Sequence, residues 1–392
     1  MKGISQPSPI NEEEVTRLKA RKRKVQSTQE IIDGILSGNR TLLSKAITLV
    51  ESALPAHQEQ AQEIIAACLQ RTKSETVHQE NRIQKTEYRR QKTEDRRQNS
   101  DYRLPITESR IPDPGSSIRV GITGVPGVGK STFIEALGTY LTSKGHKLAV
   151  LAVDPSSARS KGSILGDKTR MEQLASDPNA FIRPSPAAGT LGGVARKTRE
   201  TIVLCEAAGF DVIFVETVGV GQSETTVHSM VDFFLLLMLA GAGDELQGIK
   251  RGIIEMADAI VINKADGDNI AKAKAARAEY VNALHLSPPS GSGWSPVVDI
   301  CSSRAKTGIE NVWRIILEHR ETTNKTGYFH QRRLEQNHQV LLATIEEGLR
   351  HHFYSRKEIA HAISRVENGI IAGHLNPYQA AQELLQRYFE KL

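Results

Sequence analysis

Apolar positions along this 392-residue chain fall into three regimes. Between Ile31 and Leu69 their spacing is helical: Ile31, Ile32, Ile35 and Leu36, then, past a Gly38-Asn39 stop, Leu42, Leu43, Ala46, Ile47, Leu49 and Val50. From Ile118 to about His319 short solid runs replace the stripes: Ile118–Ile122, Leu148–Val153, Val212–Val215, Phe233–Leu239, Ala259–Ile262 and Val297–Ile300. Solid runs of this length between helical stretches predict parallel strands covered on both faces. After Thr326 the helical spacing returns through Leu334, Val340, Leu341, Leu342, Ile345 and Leu349. A last helix follows, with Pro377 near its start, through Ala380, Ala381, Leu384, Leu385 and Phe389. The pattern predicts a three-layer α/β domain with a mainly parallel sheet over 118–325. It is flanked by an N-terminal helical bundle (31–70) and a C-terminal helical extension (326–392).

Two segments carry no such pattern. Residues 1–30 are polar, with a basic run at Lys19–Lys24, and read as a loose arm. Within 71–117, Gln84-Lys-Thr-Glu-Tyr-Arg-Arg90 is followed at once by Gln91-Lys-Thr-Glu-Asp-Arg-Arg97, and a degenerate third copy starts at Gln98. A seven-residue period invites a coiled coil, but that needs apolar a and d positions. Across residues 83–103 only Ile83, Tyr88 and Tyr102 are large and apolar, so a solvated linker is the reading. It ends at Pro105, Pro112, Pro114 and Gly115.

Charge refines this little. The net charge is +6. Between Arg71 and Arg110 there are eleven Lys/Arg against seven Asp/Glu, a net of +4, which leaves +2 for the rest. The basic excess belongs to the linker, and a nucleic-acid-binding face is not expected. The longest apolar run, Phe233–Ala240, has eight residues, well short of the roughly 20 that cross a bilayer. The N-terminus offers no apolar signal core, and Glu12, Glu13 and Glu14 argue against an acid-poor transit peptide. Cys68, Cys205 and Cys301 are far apart in sequence and form no ligand pair. A cytoplasmic protein without membrane attachment is expected.

The strongest chemistry lies after the first apolar run. Gly124-Val125-Pro126-Gly127-Val128-Gly129-Lys130-Ser131, followed by Thr132, fits G-x-x-x-x-G-K-[ST] between a strand and a helix. Glycines let the backbone wrap phosphates with its N–H groups inward, and the following helix adds its positive end. Lys130 is expected to bridge the β- and γ-phosphates and Ser131 to ligate magnesium. A second motif selects the base: the run at Ala259 ends directly in Asn263-Lys264-Ala-Asp266. The Asp266 carboxylate can accept from both the N1–H and the amine of guanine, whereas adenine offers no such pair. Lys264 would lie along the base plane, and Asn263 would tie this loop to the phosphate loop. Cys301-Ser302-Ser303 is expected to cap the base through a backbone N–H. The ligands predicted are GTP and GDP with Mg2+.

Acidic residues complete the expected site. Asp154 ends one strand at the carboxyl edge, where open α/β sheets bind ligands. Glu216 ends another and opens Glu216-Thr-Val-Gly219; it would hold magnesium through water or polarise the attacking water, and the Gly219 N–H would meet the γ-phosphate. Asp167 lies in a polar stretch suited to a switch segment and is a further metal candidate. Gln222 is a candidate for placing the water.

With both ends of the site in view, the chain resembles the GTPases associated with methylmalonyl-CoA mutase, the MeaB or ArgK-like family. The resemblance rests on Asp154-Pro-Ser-Ser, Gly162-Ser-Ile-Leu-Gly-Asp-Lys-Thr-Arg-Met171, Ile182-Arg-Pro-Ser-Pro186, Gly189-Thr-Leu-Gly-Gly193, Glu216-Thr-Val-Gly-Val-Gly-Gln-Ser-Glu224 and Gly241-Ala-Gly-Asp-Glu-Leu-Gln-Gly-Ile-Lys250. It implies a homodimeric GTPase metallochaperone that binds an adenosylcobalamin-dependent acyl-CoA mutase and protects it. Such a protein gates cofactor delivery from a cobalamin adenosyltransferase. It also implies that 241–252 is a mobile nucleotide-reporting switch and that the C-terminal helices build the dimer. The repeat at 84–104 and Ser303 depart from the family pattern.

Two other readings are weaker. A nickel-insertion GTPase calls for a His-rich tail or a Cys-x-Cys, and His351-His352 with three lone cysteines supply neither. A transport-associated kinase calls for a base beside an acceptor pocket, whereas Glu216 points to water. Loop length costs only logarithmically, and the repeat has no apolar stripe to bury. Deleting 78–104 should therefore leave a folded protein, and a melting temperature lowered by more than a few degrees would show that the segment packs.

Overall fold

Each solid apolar run becomes a strand of one sheet. In chain order these are β1 (Ile118–Gly124), β2 (Leu148–Val153), β3 (Ala180–Arg183), β4 (Val212–Thr217), β5 (Phe233–Leu239), β6 (Ala259–Asn263) and β7 (Val297–Ile300). They lie side by side as β3-β2-β4-β1-β5-β6-β7. Every pairing is parallel. The computed structural model describes residues 26–71, 117–153, 171–184, 191–217, 223–241, 251–284 and 291–390. The arm and nearly all of the repeat-bearing linker lie outside them. β3 is absent from the sequence reading. It has only four residues, stops before Pro184 and pairs with β2 alone at the sheet edge, so it leaves no solid run.

Strand alternation sorts side chains between two faces. Ala149, Leu151 and Val153 of β2 and Ile213 and Val215 of β4 point to one side. There they meet α1 (Thr28–Leu36), α2 (Arg40–Glu51), α3 (residues 55–71) and α6 (Leu191–Ala207) through Ile35, Leu43, Ile64 and Ile202. The N-terminal helices thus share one core with the sheet. On the other side Val120, Ile122, Val150 and Phe214 pack on α4 (Lys130–Ser143) and on α10 (Ile309–Lys325), with α5 (Glu172–Ser176) at its margin. Between α6 and α10 in sequence come α7 (Ser223–His228), α8 (Arg251–Met256) and α9 (Ile270–Leu284), the last covering β6 and β7. With both faces covered, the strands have little polar alternation to show.

The Gly38-Asn39 stop is built as expected. Gly38 adopts a left-handed φ of 77°, and the Asn39 side chain caps α2 by accepting from the N–H groups of Thr41 and Leu42. Ser27 and Glu30 form a capping box at the start of α1.

The C-terminal region is three helices, α11 (Tyr328–Ser355), α12 (Lys357–Ile371) and α13 (Pro377–Phe389). Its attachment to the sheet is mainly ionic. Arg333 on the first turns of α11 donates to Asp232 through Nε at 2.7 Å and Nη2 at 2.6 Å, and to the Ser117 carbonyl at 2.9 Å. Its Nη1 reaches Glu206 at 3.4 Å, and Arg119 grips the same carboxylate from β1 at 2.8 and 2.9 Å. Asp232 also accepts the Arg119 backbone N–H at 2.9 Å. The cluster sits where β1 and β5 begin, at the edge of the sheet opposite the phosphate loop. Among the described residues no helix is long and apolar enough to cross a membrane.

Burial alone would raise the Glu206 carboxyl, but Arg119 and Arg333, with hydrogen bonds from Arg119 and Ser117, hold it down at about 2. A carboxylate depressed by folding adds stability that is present above its ordinary value and lost as pH falls toward the folded value. Glu206→Gln should cost about 3 kcal/mol near pH 7, since it breaks a buried ionic cluster. In urea unfolding, the gap between wild type and variant should narrow as pH drops below the ordinary carboxylate range. A gap independent of pH would show that Glu206 acts through packing alone.

Candidate functional site

The phosphate loop grows from the carboxyl end of β1, between β4 and β5. Three of its glycines are dictated by backbone geometry. Gly124 lies so close to β5 that a Cβ would stand 2.5 Å from the Leu237 carbonyl, and Gly127 and Gly129 take positive φ of 79° and 92°. The Lys130 ammonium folds back over the loop, donating to the carbonyls of Gly124 at 2.8 Å and Val125 at 3.4 Å. Burial lowers its pKa, and the carboxylates of Glu216 and Glu224 oppose that fall. Ser131 turns its hydroxyl toward Glu216, with Oγ to Oε1 at 3.5 Å, while Thr132 is exposed. Glu216 is buried at the end of β4. Beside it Thr217 donates to Thr123 at 2.8 Å, a hydroxyl bond that locks β4 to β1 at the level of the loop.

Glu224 is a participant that sequence reading left without a role. It sits in the first turn of α7, is buried, and is near enough to Lys130 to act on its charge. The signal was its place in the string Glu216–Glu224. What that string could not show is that Glu216 and Glu224 both act on the same lysine.

The second motif leaves β6 beside the phosphate loop. Asn263 is buried, and its Nδ2 donates to the Val128 carbonyl at 2.9 Å. Its Oδ1 accepts from the Ser303 N–H at 3.1 Å, the Ser303 hydroxyl at 2.8 Å and the Cys301 thiol at 3.5 Å. Lys264 takes a left-handed φ of 58°, and its ammonium donates to the Gly127 carbonyl at 2.8 Å. The next turn is closed by Asn269, which donates to the Lys264 carbonyl at 2.7 Å. Asp266 accepts from the Ser302 hydroxyl, and that hydroxyl accepts the Ala305 N–H at 3.0 Å. The Ser302 N–H is also engaged, by the Thr307 carbonyl at 3.0 Å.

The loop after β7 therefore differs in detail from expectation. The N–H groups of Ser302 and Ser303 bond within the protein, so in this structure the two serines brace Asp266 and Asn263 rather than present N–H groups to a base. The hydroxyl of Ser303, where alanine is commoner, gives Asn263 a donor that alanine lacks. Asp154, Asp167, Gly219 and Gln222 lie outside the described residues, as do 242–250 of the expected switch. Asp154 directly follows β2, whose Ala152 and Val153 are in register with Glu216 and Thr217. The described residues thus bring Lys130, Ser131, Glu216, Asn263, Lys264 and Asp266 together along one edge of the sheet.

Comparison with known proteins agrees with this geometry. Residues 90–358 match the family described as methylmalonyl Co-A mutase-associated GTPase MeaB. A probable GTPase of Mycobacterium tuberculosis is 44% identical over 361 residues, covering 91% of this chain and 95% of that protein. The GTPase ArgK of Escherichia coli is 39% identical over 365 residues, 92% of this chain and 98% of that one. The mouse mitochondrial methylmalonic aciduria type A homolog is 44% identical over 355 residues, 91% and 78% of the two chains. Among solved structures, a LAO/AO transport system kinase superposes with a TM-score of 0.63 at 33% identity, covering 93% of this chain and 99% of that one. The likeness extends through the sheet and the helices on either side of it. This P-loop GTPase, which hydrolyses GTP, belongs to the methylmalonyl-CoA mutase-associated MeaB family.

Proposed function

We propose that this GTPase selects guanine through Asp266, works with magnesium, and serves as a chaperone for an adenosylcobalamin-dependent acyl-CoA mutase such as methylmalonyl-CoA mutase. The observation that carries the nucleotide half is the double use of Asn263. One amide holds the phosphate loop and the base loop at fixed separation, which suits a nucleotide spanning both. Asp266 is oriented by Ser302 and keeps acceptor capacity for the two donors on guanine's edge. A hydroxyl and a carboxylate 3.5 Å apart are the hard oxygen donors that magnesium prefers. Ser131 would hold the ion directly, Glu216 through water, with Asp154 and Asp167 as further candidates. Magnesium would draw charge from the phosphates.

For hydrolysis, Lys130 supplies a fixed positive charge to the bridging phosphates. Gly219 would present its N–H to the γ-phosphate. Glu216 or Gln222 would orient the attacking water, a reaction governed by placement and electrostatics. Thr217–Thr123 fixes the Glu216 backbone, so that carboxylate reaches the water from a rigid strand end.

The partner half rests on the family description and on the mouse relative's name. In this reading the protein gates cofactor transfer from an adenosyltransferase and protects the loaded mutase. Residues 241–252, with four glycines among Asp244, Glu245, Gln247 and Lys250, report the nucleotide state. A cytoplasmic homodimer is the proposed form. Leu341, Ile345 and Leu349 are half exposed at four-residue spacing along α11, and Ile371 is 84% exposed, as befits helices that pair with a second copy.

Titration should give tight GTP and GDP binding and little ATP binding. Asp266→Asn should lose guanine affinity and gain xanthine affinity, because the 2-oxo group of xanthine suits an amide donor. Equal affinity of the wild type for ATP and GTP contradicts the base assignment. Turnover should be slow alone and rise when an adenosylcobalamin-dependent mutase is added, since docking orders a switch and coupling is reciprocal. Glu216→Ala should bind GTP yet hydrolyse it poorly with or without the mutase. Replacing Gln247 and Lys250 together by Ala should spare the intrinsic rate and reduce the stimulation. A wild type that no such mutase stimulates refutes the client and leaves the GTPase intact.

A further inference from the structure

A groove of about 650 Å³ lies away from the nucleotide edge, walled by α3, α6 and α11. Its floor is apolar: Ile65, Ile202 and Met230 are buried there, and Val203 and Val340 continue the surface. The volume falls within the range of small-molecule sites, and the wall is largely hydrocarbon with a few polar groups, as such sites require.

The polar groups are where this groove departs from an ordinary seam between helices. Arg119 and Arg196 on its wall are matched, the first by Glu206 and the second by Glu200 and Glu347. Arg199 is not. Among the described residues its one hydrogen bond is from Nη2 to the Ser229 hydroxyl at 2.7 Å, and its buried Nε–H has no acceptor there. Among the described residues no carboxylate pairs with it, and desolvation lowers its pKa. A guanidinium held against hydrocarbon without a counter-charge costs free energy that an anion entering the groove would recover. Gln336 adds a second unmet demand. Its side chain is 94% buried (6% exposed), and its Nε2 donates to the Val231 carbonyl at 2.8 Å. That bond fixes which end is nitrogen, and among the described residues Oε1 is left with no donor. One wall of one groove therefore holds a cation lacking an anion and an acceptor lacking a donor.

We propose that this groove binds a small amphipathic carboxylate carrying an N–H or O–H near its head. The carboxylate meets Arg199, the donor meets Gln336, and the apolar body lies on Ile65, Ile202, Met230 and Val340. Arg350, also on the wall, is exposed, and one half-buried guanidinium without a carboxylate, with Glu200, Glu346 and Glu347 on the same wall, favours a monoanion over a phosphate dianion. The site is independent of the nucleotide reading, since none of these side chains touches the phosphate or base loops.

The probe is N-octanoylglycine, which has the carboxylate, one amide N–H and an apolar tail, titrated calorimetrically into the full chain with GDP present. Saturable one-site binding is expected. The uncharged N-octanoylglycinamide and the variant Arg199→Met should each weaken it about tenfold or more, the worth of one charge-assisted hydrogen bond. N-octanoylsarcosine, which lacks the N–H, should bind several-fold more weakly. Val340→Trp fills the groove from the accessible helix and should abolish binding while GDP affinity stays unchanged, which separates a lost site from a lost fold. Non-saturable uptake, equal binding of acid and amide, or binding indifferent to Arg199→Met and Val340→Trp would overturn the proposal. So would Val340→Trp altering the oligomeric state of a protein that takes up no probe, because the groove would then be covered by a second copy.

Discussion

Everything at the nucleotide edge depends on the side chain of Asn263. Its Nδ2 holds the phosphate loop at Val128, and its Oδ1 gathers the loop after β7 through Ser303 and Cys301. Three segments far apart in sequence are thereby set at fixed distance by one buried amide. The strand beneath supplies the rigidity: β6 is buried along its whole length and pairs on both sides. A nucleotide long enough to span phosphate and base loops then meets a preformed site, and little ordering cost falls on binding.

The two edges of the sheet are built by opposite chemistry. The carboxyl edge gathers the phosphate loop, the Lys130 ammonium and the Glu216 carboxylate. The amino edge gathers Arg119, Arg333, Glu206 and Asp232, whose charges satisfy one another within the fold. The first arrangement is left open for a ligand; the second fastens α11 to the ends of β1 and β5. The C-terminal helices are thus attached to the frame of the sheet at the end away from the phosphate loop.

Much of this was legible in the sequence because the relevant signals are local. Solid apolar runs marked six strands, and both nucleotide motifs sat directly after such runs, where a parallel sheet brings its carboxyl ends together. The Gly38-Asn39 stop and Pro377 likewise act within a few residues. What escaped was set by distant contacts. β3 forms only because β2 is there to pair with it. Glu224 matters only because it acts on the charge of Lys130, and Ser303 only because Asn263 offers an acceptor. The ionic cluster joins four residues spread from Arg119 to Arg333, each an ordinary charged residue in isolation.

The three cysteines bear on how the protein can be handled. All are buried, and desolvation pushes Cys68 up to about 11 and Cys301 up to about 12, with Cys205 raised further still. Alkylating reagents attack the thiolate, so at neutral pH the native thiols are nearly silent. A single cysteine placed at an exposed position such as Ile371 or Tyr378 would then be the one reactive sulfur on the folded surface. Spin labels or dye pairs could be attached to the C-terminal helices without first stripping the natural cysteines. Cys301 in particular can stay beside Asn263.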